Sequence, residues 1–332
     1  MNYTGKTFLL PSGGKIPAVG LGTWQSPKGE VRNAVKVAIQ AGYRHIDCAA
    51  IYKNESEVGE GIIDSGIPRS ELWLTSKLWN NAHKPDQVEP ALNDSLQKLG
   101  TDYLDLYIIH WPVAFSVDPS KANGYKPEID WELTRDPMQT WRVLESLVKK
   151  GKLRNIGISN FTAEKAQKLY DQVLPLPLPS YHSPTDSLGP KASIKPAVNQ
   201  VELSLQCPQP DLLAWAKKTG VLLQAYSPLG STGATHRDDP VVKEIAATHK
   251  VDPANILISW QVQRGAVVLP KSVTESRIIA NFKDVELTKA EVEKLEKRSM
   301  ELPFVRAVDP SEAWGVTIYE SGEAKPKEKS KL

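Results

Sequence analysis

Short apolar runs alternate with longer amphipathic ones along most of the chain. The short runs are AVGLG (18–22), RHIDC (44–48), LWLTSK (72–77), LDLYIIH (104–110), NIGIS (155–159), AVNQV (197–201), VLLQAY (221–226) and AVVLP (266–270). Such runs, bounded by turn residues, fit strands covered on both faces. Between them lie stretches with a helical look, among them EVRNAVKVAIQAG, PDQVEPALNDSLQKLG and PMQTWRVLESLVKKGK. Pro85 and Pro137 fall in first turns, where a missing N–H costs nothing, and Gly42, Gly100, Gly151 and Gly220 follow helices as C-caps should.

Strands interleaved with helices predict a parallel sheet with right-handed crossovers. Eight strand candidates in 332 residues make that sheet a (β/α)8 TIM barrel in a single domain, residues 1–332. The leading KTFLLPSGGKIP reads as an added N-terminal β-hairpin that could plug the lower end of the barrel. Residues 173–196, VLPLPLPSYHSPTDSLGPKASIKP, have neither period and read as a surface insertion between the fifth helix and the sixth strand, an ordered connection without catalytic duty. The polar residues 321–332 read as an exposed tail.

Composition removes several function classes. The chain is 40% hydrophobic and 24% charged, ordinary for a globular protein. A net charge of +2, from 41 basic and 39 acidic residues, gives no footprint for nucleic acid or an anionic membrane. Two cysteines without a CxxC argue against a disulfide framework or a zinc site and fit a reducing compartment. No apolar run reaches the ~18 residues of a membrane helix, and the first residues carry no secretory pattern.

Barrel active sites gather where the strands end. There the sequence places Asp47 with Tyr52 just beyond, then Lys77, His110, Ser159–Asn160, Asn199–Gln200, Tyr226–Ser227 and Lys271–Ser272. Singly, each reads more readily as a structural ion pair, a satisfied histidine or a packed ring than as a chemical group. Their convergence on one mouth is what suggests chemistry. A free tyrosine hydroxyl titrates at ~10. Lys77 is expected to lower that value in Tyr52, Asp47 to hold Lys77 charged, and His110 to orient a substrate oxygen. This is a proton donor for an alkoxide, with no nucleophile and no metal; a metal-dependent hydrolase would need His/Asp ligand clusters that the sequence lacks.

Hydride must then come from a cofactor, yet no GxGxxG is present: GLGTWQ (20–25) lacks the third small residue and GEGIID (59–64) falls in a helical stretch. LPKSVTESRIIANF offers another route, since Lys271, Ser272 and Arg277 could surround the 2′-phosphate of NADP. A capped helix with surface charges is the alternative there. Tyr226 offers a stacking face, with Ser227, Leu229 and Ser231 as a loop over a pyrophosphate. Ser159, Asn160 and Gln200 could bond a carboxamide, or satisfy neighbouring backbone.

The set GYRHIDCAAIYKNESEVG, LWLTSKLW, LDLYIIHWP, GISNF, NQVE, AYSPLG and LPKSVTESRIIANF resembles the aldo-keto reductases, in order and spacing, from about residue 7 to 300. The resemblance implies a (β/α)8 barrel that uses NADPH/NADP+ to reduce aldehydes, ketones or sugars. It implies a catalytic tetrad of Asp47, Tyr52, Lys77 and His110, with Tyr52 the general acid. It places Ser159, Asn160 and Gln200 on the carboxamide, Tyr226 on the nicotinamide, and Ser227, Leu229 and Ser231 on the pyrophosphate. Lys271, Ser272 and Arg277 fall on the 2′-phosphate and Asn281 near adenine, with Thr23, Trp24 and Asp47 as further cofactor contacts.

Substrate contacts fall to Trp24, Tyr52, Trp79, His110, Trp111 and the loop from about 301 to 320. One departure is Ala280, where many relatives carry Glu. Within the family the likeness runs to fungal NADP-dependent glycerol dehydrogenases and glyceraldehyde reductases, partly through VDPSEAWG (308–315). That implies a small carbonyl or polyol substrate and a monomer. A different class is a non-catalytic NADPH-binding barrel serving as a sensor or regulatory subunit. Finally, Ser330-Lys331-Leu332 reads as a peroxisomal address for an import receptor, against the cytoplasmic location usual in the family.

Overall fold

The computed structural model describes residues 2–116, 127–173, 192–231 and 233–319. An antiparallel hairpin comes first, β1 (Thr7–Leu9) against β2 (Lys15–Pro17). Then follow β3 (Leu21–Gly22), β4 (His45–Asp47), β5 (Trp73–Leu78) and β6 (Leu106–Ile109). A small antiparallel pair, β7 (Ala114–Phe115) with β8 (Ile129–Asp130), interrupts the series, which resumes with β9 (Ile156–Ser159), β10 (Val198–Glu202), β11 (Leu222–Tyr226) and β12 (Val267–Leu269). The sheet runs β3-β4-β5-β6-β9-β10-β11-β12, all parallel. Its two ends meet: Gly20 and Gly22 donate to the carbonyls of Val268 and Pro270 at 2.9 and 3.0 Å, and Val268 donates to Ala18 at 2.8 Å. Closure leaves no unpaired sheet edge.

Each apolar run read from the sequence supplies one barrel strand. The helices between them are α1 (Val31–Gln40), α2 (Glu55–Ser65), α3 (Pro85–Leu99), α4 (Trp131–Arg135), α5 (Met138–Lys149) and α6 (Ala163–Gln172). They continue as α7 (Pro210–Thr219), α8 (Pro240–His249), α9 (Pro253–Gln263), α10 (Glu275–Asn281), α11 (Lys289–Glu301) and α12 (Ser311–Trp314). Periodicity decides which face is covered. Val31, Ala34, Val35, Ala38 and Ile39 of α1 recur at helical spacing and are the buried set. Gly100 and Gly220 close α3 and α7 in the left-handed conformation, with φ of 65° and 78°. Pro137 sits one residue earlier than expected, as the N-cap of α5, while Gly42 and Gly151 lie one residue beyond the C-caps Ala41 and Lys150.

The hairpin closes the lower end of the barrel. Leu10 and Ile16 pack against Trp73, Leu106, Val198 and Val267, the first residues of four barrel strands. Asp47, Lys77 and His110 lie toward the opposite end, where the strands finish. Of the insertion 173–196, only Val173 and residues 192–196 are described; Ser193 and Ile194 donate their N–H groups to the Glu145 carboxylate at 2.6 Å each. Residues 321–332, with Ser330-Lys331-Leu332, lie outside the described residues. No helix among the described residues is long and apolar enough to cross a membrane.

Candidate active site

Asp47 ends β4, and the chain then tightens into a 3-10 turn, Ala50–Tyr52, before Lys53 adopts a left-handed φ of 56° and α2 begins. Lys77, one residue before the end of β5, is fully buried. Its ammonium donates to Asp47 Oδ2 and to the Cys48 carbonyl, both at 2.7 Å, and lies 5.0 Å from the centre of the Tyr52 ring. His110, directly after β6, presents its ring edge-on to Tyr52, with centroids 5.9 Å apart. Asp47 is held from two further sides: Gln200 Nε2 donates to Oδ1 at 2.8 Å and the Thr23 hydroxyl donates to its carbonyl at 2.9 Å. Parallel strands in register bring these groups together, because neighbouring strands end at one level.

Burial and charge compete here. Burial is the largest influence on Lys77 and works against its charge, but Asp47 and Tyr52 outweigh it, so the ammonium titrates above its ordinary range. Burial likewise dominates Tyr52 and pushes its hydroxyl up to about 12, while the charge of Lys77 pulls it back. Lys77 therefore acts in the expected direction, but the expected net lowering of the Tyr52 pKa is not what results, because loss of solvation exceeds the charge effect. Tyr52 is a firmly protonated hydroxyl at neutral pH. Burial, then Lys77, then His83 drive His110 well below its ordinary value, so its ring is neutral. Its Nδ1 has no partner among the described residues.

An aromatic wall rises from this floor. Trp79 meets His110 edge-on at 5.1 Å, and Trp111 stacks beside it at 6.3 Å. Trp314 of α12 reaches across to Trp79, Trp111 and Phe115 at 6.1, 5.3 and 5.0 Å. Sequence reading singled out Trp79 and Trp111 but neither Phe115 nor Trp314. Trp24, half-buried after β3, makes no ring pair with this set. Trp314 was within reach of the sequence, since it stands in VDPSEAWG and in the loop from about 301 to 320.

Another missed residue holds that loop. Buried Glu202, the last of β10, accepts from the N–H groups of Ala307 and Val308 at 2.8 and 2.9 Å. Arg306 lies 3.7 Å from the centre of the Tyr319 ring, and the Tyr319 hydroxyl donates to Asn160 Oδ1 at 3.3 Å. The C-terminal segment is thus tied across the mouth.

The remaining predicted positions follow the strand ends round the barrel. Ser159 donates to the Gln200 carbonyl at 2.7 Å. Asn160, left-handed at φ 64°, donates to the His110 carbonyl at 2.9 Å and accepts from Tyr226 at 2.8 Å. Backbone satisfaction and an inward position thus coexist in these side chains. Half-buried Tyr226 leads into left-handed Ser227 (φ 49°), then Leu229 and Ser231. Beyond them Leu229, Lys271, Ser272, Arg277 and Asn281 line a cleft of ≈ 230 Å³, joined by Arg237 and Asp252. Three cations against one carboxylate, with Val273, Ala254 and Ala280 as apolar lining, suit an adenosine bearing a phosphate. Thr274 makes no side-chain cap to α10, while the Ser272 hydroxyl oxygen accepts from the Thr274 N–H at 3.1 Å.

The model of the Aldo/keto reductase family matches residues 18–299. The glycerol 2-dehydrogenase (NADP(+)) of Saccharomyces cerevisiae is 40% identical over 318 residues, 92% of this chain and 95% of that protein. Aldo-keto reductase family 1 member A1 of Sus scrofa is 41% identical over 316 residues, 90% of each. Among solved structures, the Bombyx mori aldo-keto reductase in complex with NADP superposes with a TM-score of 0.80 at 34% identity, over 95% of this chain and 99% of that one.

Proposed function

The chain belongs to the aldo/keto reductase family, and from that premise we propose that it reduces small aldehydes, hydroxyaldehydes or sugars to alcohols with NADPH and oxidises polyols in reverse. When bound, NADPH supplies the hydride. Lys271, Ser272, Arg277 and Asn281 would hold its 2′-phosphoadenosine end, and Ser227, Leu229 and Ser231 its pyrophosphate. Tyr226 would stack on the nicotinamide, Ser159, Asn160 and Gln200 would bond the carboxamide, and Thr23, Trp24 and Asp47 would complete the contacts.

The substrate oxygen sits between the Tyr52 hydroxyl and His110. As negative charge develops on that oxygen, Tyr52 gives it a proton, and Lys77, fixed by Asp47, stabilises the phenolate left behind. Neutral His110 adds a hydrogen bond without competing as an acid. Trp79, Trp111 and Trp314 restrict the space to a small carbonyl with an apolar or sugar-like face and keep water from the reacting oxygen.

The observation that carries this reading is the buried Asp47–Lys77 pair at 2.7 Å beside a protonated Tyr52. Loss of NADPH absorbance with DL-glyceraldehyde tests it, and Tyr52→Phe should abolish that loss. Tight NADPH binding by the wild type without turnover on any small carbonyl would favour the sensor class instead.

A further inference from the structure

The adenosine cleft contains a residue that the sequence motifs do not point to. Arg237 lies in the connection from β11 to α8 and faces the same cavity as Lys271, Ser272, Arg277 and Asn281. Its Nη2 pairs with Asp252 Oδ2 at 3.0 Å, and both side chains are about half exposed. Asp252 Oδ1 in turn accepts from the Ala254 N–H at 2.8 Å and so caps α9. The cap fixes the carboxylate, and the carboxylate holds the guanidinium at the cleft. Ala280, also in the lining, has no polar side-chain atom to offer a base. A guanidinium can stack on a flat ring and donate to a phosphate at the same time, which an ammonium cannot do.

We propose that Arg237 is a cofactor-recognition residue that binds the 2′-phosphoadenosine end of NADPH together with Lys271 and Arg277, with Asp252 as its positioning partner. This rests on the NADPH reading above. Arg237 would help select NADPH over NADH, since its contact includes the phosphate that NADH lacks. Asp252 needs Arg237 as well, because an unneutralised carboxylate in this cleft would repel the phosphate.

Calorimetric titration with adenosine 2′,5′-bisphosphate and with 5′-AMP tests the assignment without turnover. Wild type should bind the bisphosphate well and 5′-AMP weakly. Arg237→Ala should weaken the bisphosphate on the order of tenfold and 5′-AMP by much less. Arg237→Ala combined with Asp252→Asn should remain weak, because the phosphate contact itself is gone. Recovery of wild-type affinity in that double variant would overturn the direct contact and reduce Arg237 to neutralising Asp252. Unchanged bisphosphate binding in Arg237→Ala would overturn the proposal outright. Failure of the wild type to bind the bisphosphate would instead overturn the NADPH reading.

Discussion

Two ion pairs of the same kind sit at the two ends of the proposed cofactor site. Lys77–Asp47 is 2.7 Å long with side chains 0% and 6% exposed; Arg237–Asp252 is 3.0 Å long with side chains 48% and 44% exposed. In the first, burial keeps bulk solvent from both charges and every neighbour matters: the Cys48 carbonyl and Gln200 complete the side-chain bonding, and Thr23 holds the Asp47 main chain. In the second, water competes with both ions, and the pair's worth lies in where it holds a guanidinium. A buried pair broken on one side leaves an uncompensated charge, whereas an exposed pair contributes little to stability. One pair is thus expected to carry the fold and the chemistry together, the other to carry ligand affinity alone.

Lys77→Met should separate the two cases most strongly. It leaves Asp47 buried without its cation, and the loss of stability should be about 3–5 kcal/mol by denaturant titration, together with loss of turnover. A stable and active Lys77→Met would break the contrast. Acid comes next. Burial lowers His45 to about 3, His83 to about 4 and His110 well below its ordinary value. Their unfolded-state values lie higher, so the stability of the neutral rings is present above pH ~6.5 and lost as pH falls below it. The melting temperature should therefore decline steadily between pH 6.5 and 4, and a flat profile would contradict the burial assigned to these rings.

Trp314→Ala tests the wall above the buried pair. Removing a ring that touches Trp79, Trp111 and Phe115 should raise KM for small aldehydes about tenfold or more, and should leave equilibrium NADPH binding in place. Smallest of all should be the effect of Asp252→Asn on stability, at most about 1 kcal/mol by denaturant titration.

The barrel was legible in the sequence because eight short, largely apolar runs bounded by turn residues alternate with helical stretches. Once those runs are aligned at their ends, Asp47, Lys77 and His110 fall at one level. Tyr52 could be read for the same reason, since only a short turn separates it from Asp47. Glu202 was not legible as a loop anchor, because its partners are backbone N–H groups 105 and 106 positions away that carry no residue signature. Arg237 was hidden in an aperiodic connection, where nothing marks which charges face a cleft. The upward shift of Tyr52 was also out of reach, because it is a balance of burial against charge and only coordinates give the burial. Pro137 shows the usual limit at helix ends, an offset of one residue between sequence pattern and cap.

The central claim is that Tyr52 donates the proton while the buried pair beneath it stabilises what remains. Steady-state reduction of DL-glyceraldehyde by wild type and Tyr52→Phe, with NADPH affinity measured in parallel by fluorescence, addresses it most directly. The account predicts that Tyr52→Phe binds NADPH about as well as wild type and loses turnover by at least about 10²–10⁴-fold, the scale of a general acid. Turnover by Tyr52→Phe at the wild-type rate would contradict it.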